Sequence, residues 1–280
     1  MEQYRRNDLI FDVRDAGPAD GPVVVLLHGF PQHNDSWNAV IDRLTAQGYR
    51  CLAPNQRGYS AGARPSRRRD YRIPELVGDL GALIDASGAR QVHLVGHDWG
   101  AAVAWAAAAE MPERLATVSP VSVPHPAAFI KSFATSRQGL ASWYMYFFQL
   151  PRVPEWSMLR RNGTMMSTLL QQTGQTPAAA ERDARAMSEP GALTAAINWY
   201  RAMPLSNPRA INQKVSVPTL YVYSDQDIAL MPKAAHNTAR YVSGEYRFEI
   251  LPGVSHWIPD EQPDKLADLL LDWFASHPLH

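Results

Sequence analysis

Gln91-Val92-His93-Leu94-Val95 runs straight into Gly96-His97-Asp98-Trp99-Gly100, and the chain continues as Ala101-Ala102-Val103-Ala104. The first five residues read as a buried strand, and Trp99 to Glu110 as an alanine-rich helix. A turn this abrupt holds its central residue in a strained backbone conformation, and only small neighbours avoid collision. Gly96 and Gly100 meet that demand. The pattern is Gly-x-nucleophile-x-Gly with aspartate in the nucleophile's place. At the start of a helix, free backbone N–H groups and the dipole favour an ionised carboxylate. An aspartate there also serves as a plain cap, so the pentapeptide by itself leaves cap and nucleophile both open.

Working outward, the neighbouring segments repeat the strand–helix unit. Asp8 to Asp15 reads as a strand of a short hairpin, and Gly17-Pro18-Ala19-Asp20-Gly21-Pro22 as a break. Val23-Val24-Val25-Leu26-Leu27 is apolar without alternation, which suits a parallel strand covered on both faces. Ser36 to Gln47 places Trp37, Val40, Ile41 and Leu44 on one helical face, and Gly48 stops it. Arg50–Ala53 and Leu115–Val121 read as strands and Pro74–Ser87 as a helix. After a gap the pattern returns: strand Thr219–Tyr223, helix near Pro232–Tyr241, strand Tyr246–Leu251, helix Gln262–Ser276. The expected fold class is α/β, a doubly wound, mostly parallel sheet.

The gap is informative. Residues 127–213 hold no convincing core strand and are rich in alanine, methionine and aromatics at helical spacing, cut by Pro151, Pro154, Pro177, Pro190, Pro204 and Pro208. A helical block inserted late in a wound sheet reads as a lid. The expected domains are a core of residues 1–126 and 214–280 and a helical cap of 127–213.

Composition narrows the class of function. With 27 basic and 27 acidic side chains the net charge is zero, which gives no electrostatic case for nucleic acid or an anionic membrane surface. The one basic run, Arg64-Pro65-Ser66-Arg67-Arg68-Arg69, reads as a solvated loop, an acidic-ligand site being the lesser reading. Cys51 is the single cysteine and sits in an apolar stretch, so it reads as a buried, inert thiol. Met1 is followed by polar residues and no segment is long and apolar enough to insert in a bilayer, so a cytoplasmic location is expected. Monomer and homodimer both stay open.

The partners of Asp98 lie in two other loops. His28-Gly29-Phe30-Pro31 follows the first central strand, and Gly253-Val254-Ser255-His256-Trp257 follows the last. Among the nine histidines, His256 falls where a triad histidine belongs in the order nucleophile, acid, histidine. His236 lies within a helix, His277 and His280 in the tail, and His97 points away from the catalytic face of a normal elbow. Ser224-Asp225-Gln226-Asp227, after the strand Thr219–Tyr223, offers two acids.

His-Gly-x-Pro, Gly-His-Asp-Trp-Gly and Gly-x-x-His-Trp together resemble the α/β-hydrolase-fold epoxide hydrolases of the soluble bacterial type, over essentially the whole chain. The resemblance selects Asp227 as the acid and leaves Asp225 as a turn residue. It implies that Phe30 and Trp99 offer backbone N–H groups as an oxyanion hole. The loop beside the elbow is where a second donor must come from. His28 then has a structural part. The family also carries two lid tyrosines. Ile197-Asn198-Trp199-Tyr200-Arg201 resembles the segment bearing the second, and Ser142 to Gln149 should bear the first, Tyr144 by its spacing to Gln149, with Tyr146 the alternative.

A carboxylate needs no base to be reactive at neutral pH. Asp98 would attack saturated carbon and become an alkyl ester, which water activated by His256 and Asp227 would hydrolyse. Tyr200 and Tyr144 would protonate the ring oxygen. No metal or cofactor is called for; the partners are a small hydrophobic epoxide and water. The expected pocket is aromatic: Phe30, Trp99, Phe129, Trp143, Phe147 or Phe148, and Trp257. Two other readings share these residues. A haloalkane dehalogenase uses the same nucleophile with N–H donors for the halide, for which Trp99, Trp143 and Trp199 are candidates. A ligand-binding protein on a retired hydrolase scaffold is the third.

Overall fold

The computed structural model describes residues 1–161, 163–206 and 212–279. An eight-stranded sheet forms its centre. The hairpin strands β1 (Gln3–Arg6) and β2 (Leu9–Ala16) lead to β3 (Val23–Leu27), helix α1 (Asn38–Ala46) and β4 (Arg50–Pro54). Helix α2 (Ile73–Ser87), β5 (Val92–His97), helix α3 (Trp99–Glu110) and β6 (Leu115–Val121) follow. The sheet order is β1-β2-β4-β3-β5-β6, continued by β7 (Thr219–Ser224) and β8 (Tyr246–Leu251). β1 with β2 and β2 with β4 pair antiparallel; the remaining pairs are parallel.

The unbroken apolar run of β3 is buried along its whole length, and its residues divide between two cores. Val24 and Leu26 join Cys51, Val95 and the apolar faces of α1 and the last helices. Val23, Val25 and Leu27 join Leu94 and the side covered by α2 and α3. Each such side chain contributes about 1.5–3 kcal/mol on burial. The central position of β3 therefore follows from its sequence: only a strand covered on both faces can bury five consecutive aliphatics. Cys51 is buried and unpaired, as expected, and burial pushes its thiol up to about 12.

Between β6 and β7 the described chain is helical: α4 (Pro126–Thr135), α5 (Gln138–Ala141), α6 (Trp143–Phe147), α7 (Val153–Met158), α8 (Thr164–Gln172), α9 (Pro177–Met187) and α10 (Ala192–Ala202). After β7 come α11 (Pro232–Asn237), α12 (Ile258–Glu261) and α13 (Pro263–Ala275). Pro208, one of the expected helix breakers, lies outside the described residues. The insertion rests on the core through specific bonds. Trp199 donates its indole N–H to the Arg57 carbonyl at 2.8 Å, and Arg182 on α9 pairs with Asp260 on α12 at 3.2 Å. The two bonds thus reach past the carboxyl ends of β4 and β8, on the side where a wound sheet presents its loops.

Candidate active site

Asp98 sits between β5 and α3 with φ 51° and ψ −117°, a conformation that costs about 1–3 kcal/mol for a residue with a side chain. The flanking glycines permit it. A Cβ on Gly96 would stand 2.2 Å from the Gly100 carbonyl oxygen, and one on Gly100 would stand 2.1 Å from that of Leu27. The strain lifts the Asp98 carboxylate toward the loop after β3. There Gly29 passes so close that a Cβ would lie 2.3 Å from that of Asp98. The close approach brings the Phe30 N–H onto Asp98 Oδ1 at 2.8 Å. The Trp99 amide makes no such bond to the carboxylate among the described residues.

His256 faces Asp98 from the loop after β8. Its Nδ1 donates to Asp227 Oδ2 at 2.7 Å, and its Nε2 lies 3.5 Å from Asp98 Oδ2. The other oxygen of Asp227 accepts the N–H groups of Ala229 and Leu230, at 2.8 and 3.0 Å, so this buried carboxylate is tied on both sides. Burial disfavours a charged imidazole, but the charge and hydrogen bond of Asp227, followed by those of Asp98, push His256 up to about 10. For Asp98 burial likewise works against the charge; the hydrogen bond and charge of His256, the nearby His97 and the Phe30 amide hold the carboxyl below its ordinary value.

The insertion brings two tyrosines over this centre. The Tyr200 ring, on α10, makes edge contacts with Trp99 at 5.0 Å and Phe30 at 5.4 Å between centroids, and Tyr144 on α6 lies 6.0 Å from Tyr200. Burial raises the pKa of both hydroxyls, and the Asp98 charge adds to the rise in each. Tyr146, the alternative, is 64% exposed on the other side of the same short helix. Each residue after Asn198 in the α10 motif has a distinct task. Trp199 fastens the helix to the core, Tyr200 turns inward, and Arg201 pairs with Glu155 at 2.7 Å and bonds the Phe148 and Leu150 carbonyls. Gln149 donates to the Tyr200 carbonyl at 2.8 Å.

Known proteins resemble the chain over nearly its whole length. Residues 22–263 match the family model of the alpha/beta hydrolase fold. An AB hydrolase superfamily protein of Bacillus subtilis, YfhM, is 34% identical over 96% of each chain. Epoxide hydrolase A of Mycobacterium tuberculosis is 30% identical, with 96% of this chain and 95% of that protein covered. The crystal structure of epoxide hydrolase A from Mycobacterium thermoresistibile superposes with a TM-score of 0.84 at 25% identity, over 99% of this chain and 98% of that one. The chain belongs to the α/β-hydrolase-fold epoxide hydrolases.

Within this epoxide hydrolase some supporting residues escaped the sequence reading. His97 turns behind the elbow, as expected, but its Nε2 lies 2.9 Å from the His256 carbonyl and its Nδ1 lies 3.0 Å from Gln32 Oε1. Ser122 donates to the same carbonyl at 3.0 Å. The backbone of the loop that carries His256 is thus held by residues from three other segments, and nothing in the local pattern of Gln32 or Ser122 signals it. Asp225 lies in the turn after β7, as expected, but its carboxylate does not bond its own backbone. It accepts the Gly253 N–H at 2.7 Å, clamping the β7 loop to the loop that carries His256. His28 has the structural place expected. Its Nε2 accepts the Gln56 N–H at 3.1 Å and burial drives its pKa to about 3, so it is a neutral brace.

Trp143 requires a correction. It was expected in the pocket but stands 64% exposed, because α6 turns Tyr144 inward and its neighbour therefore outward. Phe129 packs edge-on against Phe133 at 5.3 Å. Trp257 is buried behind His256, edge-on at 5.2 Å, with its indole N–H donating to Thr173 on the insertion. Phe148 meets Phe30 at 5.4 Å and Tyr200 at 4.8 Å. The basic run is only partly free: Arg64 bonds the Gly58 and Tyr59 carbonyls and pairs with Glu189.

Proposed function

We propose that this enzyme opens a hydrophobic epoxide to a vicinal diol through an alkyl ester on Asp98, with residues 127–213 acting as a cap that supplies the acid. The observation that carries the reading is a carboxylate, not a hydroxyl, facing the His256–Asp227 pair at the elbow, beneath two inward tyrosines.

In the first step an oxygen of Asp98 bonds to a ring carbon and the C–O bond breaks. Tyr200 and Tyr144 hold the ring oxygen, and one of them gives it a proton. A phenol, ordinarily near pKa ~10, is a weak acid, but the leaving alkoxide is far more basic. The tyrosine regains its proton from the His256 imidazolium by way of solvent. This transfer solves a difficulty. With two carboxylates beside it His256 is protonated at rest and cannot act as a base. Esterification neutralises Asp98, so one of the two supporting anions is gone and the imidazole pKa falls.

In the second step neutral His256 takes a proton from water as it attacks the ester carbonyl. The amides of Phe30 and Trp99 receive the oxyanion. Collapse expels the second diol oxygen, which takes the proton from His256. The carboxyl of Asp98 then returns its proton to His256, restoring the resting state. Phe30, Trp99, Phe148, Phe129 and Trp257 supply the apolar surroundings. No cofactor enters the scheme, and a cytoplasmic location belongs to the same proposal. No described helix is long and apolar enough to cross a membrane.

A haloalkane dehalogenase would need indole donors for the leaving halide. Trp199 spends its N–H on the Arg57 carbonyl and Trp143 points outward, which favours the epoxide reading. The test is a side-by-side assay on aryl- and alkyl-substituted epoxides and on haloalkanes. Diol formation without halide release supports the proposal. Halide release without diol supports the dehalogenase, and retention of ligand with neither product supports the binding protein.

A further inference from the structure

The neutrality of the whole chain conceals a local imbalance. From residue 131 to 172 the sequence carries Lys131, Arg137, Arg152, Arg160 and Arg161 against Glu155 alone. Glu155 is already committed to Arg201. The same segment exposes large apolar side chains: Trp143, Tyr146 and Trp156 are 64%, 64% and 65% exposed, and Leu140, Leu150 and Val153 accompany them. Beside them a surface cavity of about 370 Å³ is lined by Arg68, Arg152, Arg201 and one acidic residue, Glu155, with Gln149, Pro151 and Thr194. Arg201 is neutralised by Glu155. Arg68 and Arg152 are exposed, and their guanidinium groups have no hydrogen-bond or ion-pair partner among the described residues. Arg68 belongs to the basic run read from sequence as a plain solvated loop; the fold sets it against the cap.

We infer that this outer face of the cap docks on an anionic phospholipid bilayer. Trp143, Tyr146, Leu150 and Trp156 enter the interface, and Arg68 and Arg152 receive phosphate headgroups in the cavity between them. Tryptophan and tyrosine with an apolar body and polar edge favour that depth, and arginine supplies the attraction to an anionic leaflet. Arg160 already lies over the Trp156 ring at 4.7 Å, an arrangement that holds a cation beside an inserting indole. A second copy of the chain is the poorer occupant, since a two-fold contact would set these arginines against their own counterparts. Docking has a consequence that rests on the epoxide reading: α6 turns Tyr144 inward and Trp143 and Tyr146 outward, so a bilayer-dissolved epoxide would meet the cap at the helix that carries the proton donor.

Vesicle sedimentation tests the docking, with phosphatidylglycerol–phosphatidylcholine vesicles against pure phosphatidylcholine. The protein should pellet with the anionic vesicles, with a blue shift of tryptophan emission, and be released by salt. The paired change Arg68→Gln and Arg152→Gln should lower partitioning about tenfold or more, and Trp156→Ser should weaken it further. Turnover of a water-soluble epoxide should be unchanged in all three substitutions, which also shows that they fold. Absence of pelleting, or equal binding to both vesicle types, overturns the inference. So does a dimer that these substitutions dissociate. Vesicle binding by a protein that turns over no epoxide would leave the docking standing and remove the catalytic reading.

Discussion

His256 Nε2 stands 3.5 Å from Asp98 Oδ2, close enough for each to set the other's charge and too long for a firm clamp. The Asp98 carboxylate is therefore ionised and, in the proposed mechanism, free to move onto carbon, while the tight bond of the histidine is to Asp227. This division of labour implies that the two chemical steps separate when the histidine is removed.

Replacing His256 with phenylalanine should leave ester formation possible and stop ester hydrolysis. Upon addition of an accepted epoxide, the intact mass of the variant should rise by one substrate mass, with diol release slowed by about 10³-fold or more. A variant that turns over normally would deny His256 its role as base.

The charge coupling can be read without substrate. Asp98→Asn removes one of the two anions that hold the His256 proton, so the imidazole should titrate well below its wild-type value of about 10. An NMR titration of the His256 ring decides this; an unchanged midpoint would mean that Asp98 does not sustain the charge. The same variant mimics the neutral ester and reports the state in which the base must work.

Tyr200→Phe should slow ring opening by about 10²-fold, Tyr144→Phe by a similar or smaller factor, and the double change should nearly abolish it. Pre-steady-state quenching of tryptophan fluorescence would follow the alkylation step, since Trp99 lies against Tyr200. Tyr146→Phe should have no effect, because that side chain faces solvent. Full activity in the double variant would remove the tyrosines from the mechanism.

Stability should fall on the acid side. Burial drives His28 and His93 down to about 3 and His97 and His125 down to about 4. Unfolded, each takes up a proton as pH drops through about 6.5; folded, none does until pH 4 to 3, as those values require. Their contribution is full above about pH 6.5 and is lost as pH falls through that window, by up to about 1.4 kcal/mol per pH unit for each. His256 acts in the opposite sense: its pKa is raised, so its contribution is full below about 6.5 and is lost as pH climbs toward 10. Urea midpoints measured from about pH 7.5 to 5 should decline. A flat or rising series would contradict the neutral, buried state of these histidines.

The sheet was legible because Val23–Leu27 and the two glycines around Asp98 each admit few structures: one demands cover on both faces, the other a tight bend. His256 was legible from chain order. The orientation of the α6 aromatics was not. Trp143, Tyr144, Tyr146 and Phe147 occupy nearly every position of a five-residue helix, and a stretch that is aromatic all round has no period to read. Long-range partners such as Gln32, Ser122 and Thr173 were hidden for another reason. Their hydrogen bonds join segments 84 to 159 residues apart, with Gln32 joined to that network through His97, and a polar side chain gives no local hint of a distant carbonyl or indole. The zero net charge averages over an uneven distribution, since residues 131–172 carry five basic side chains against Glu155 alone.

Oxygen tracing through Asp98 tests the central claim most directly. With enzyme in excess over epoxide, one turnover in heavy-oxygen water should put the label in the carboxylate of the peptide containing Asp98 and leave the diol unlabelled. Label in the diol with none in that peptide would mean that water attacks the epoxide itself, and Asp98 would not be the nucleophile.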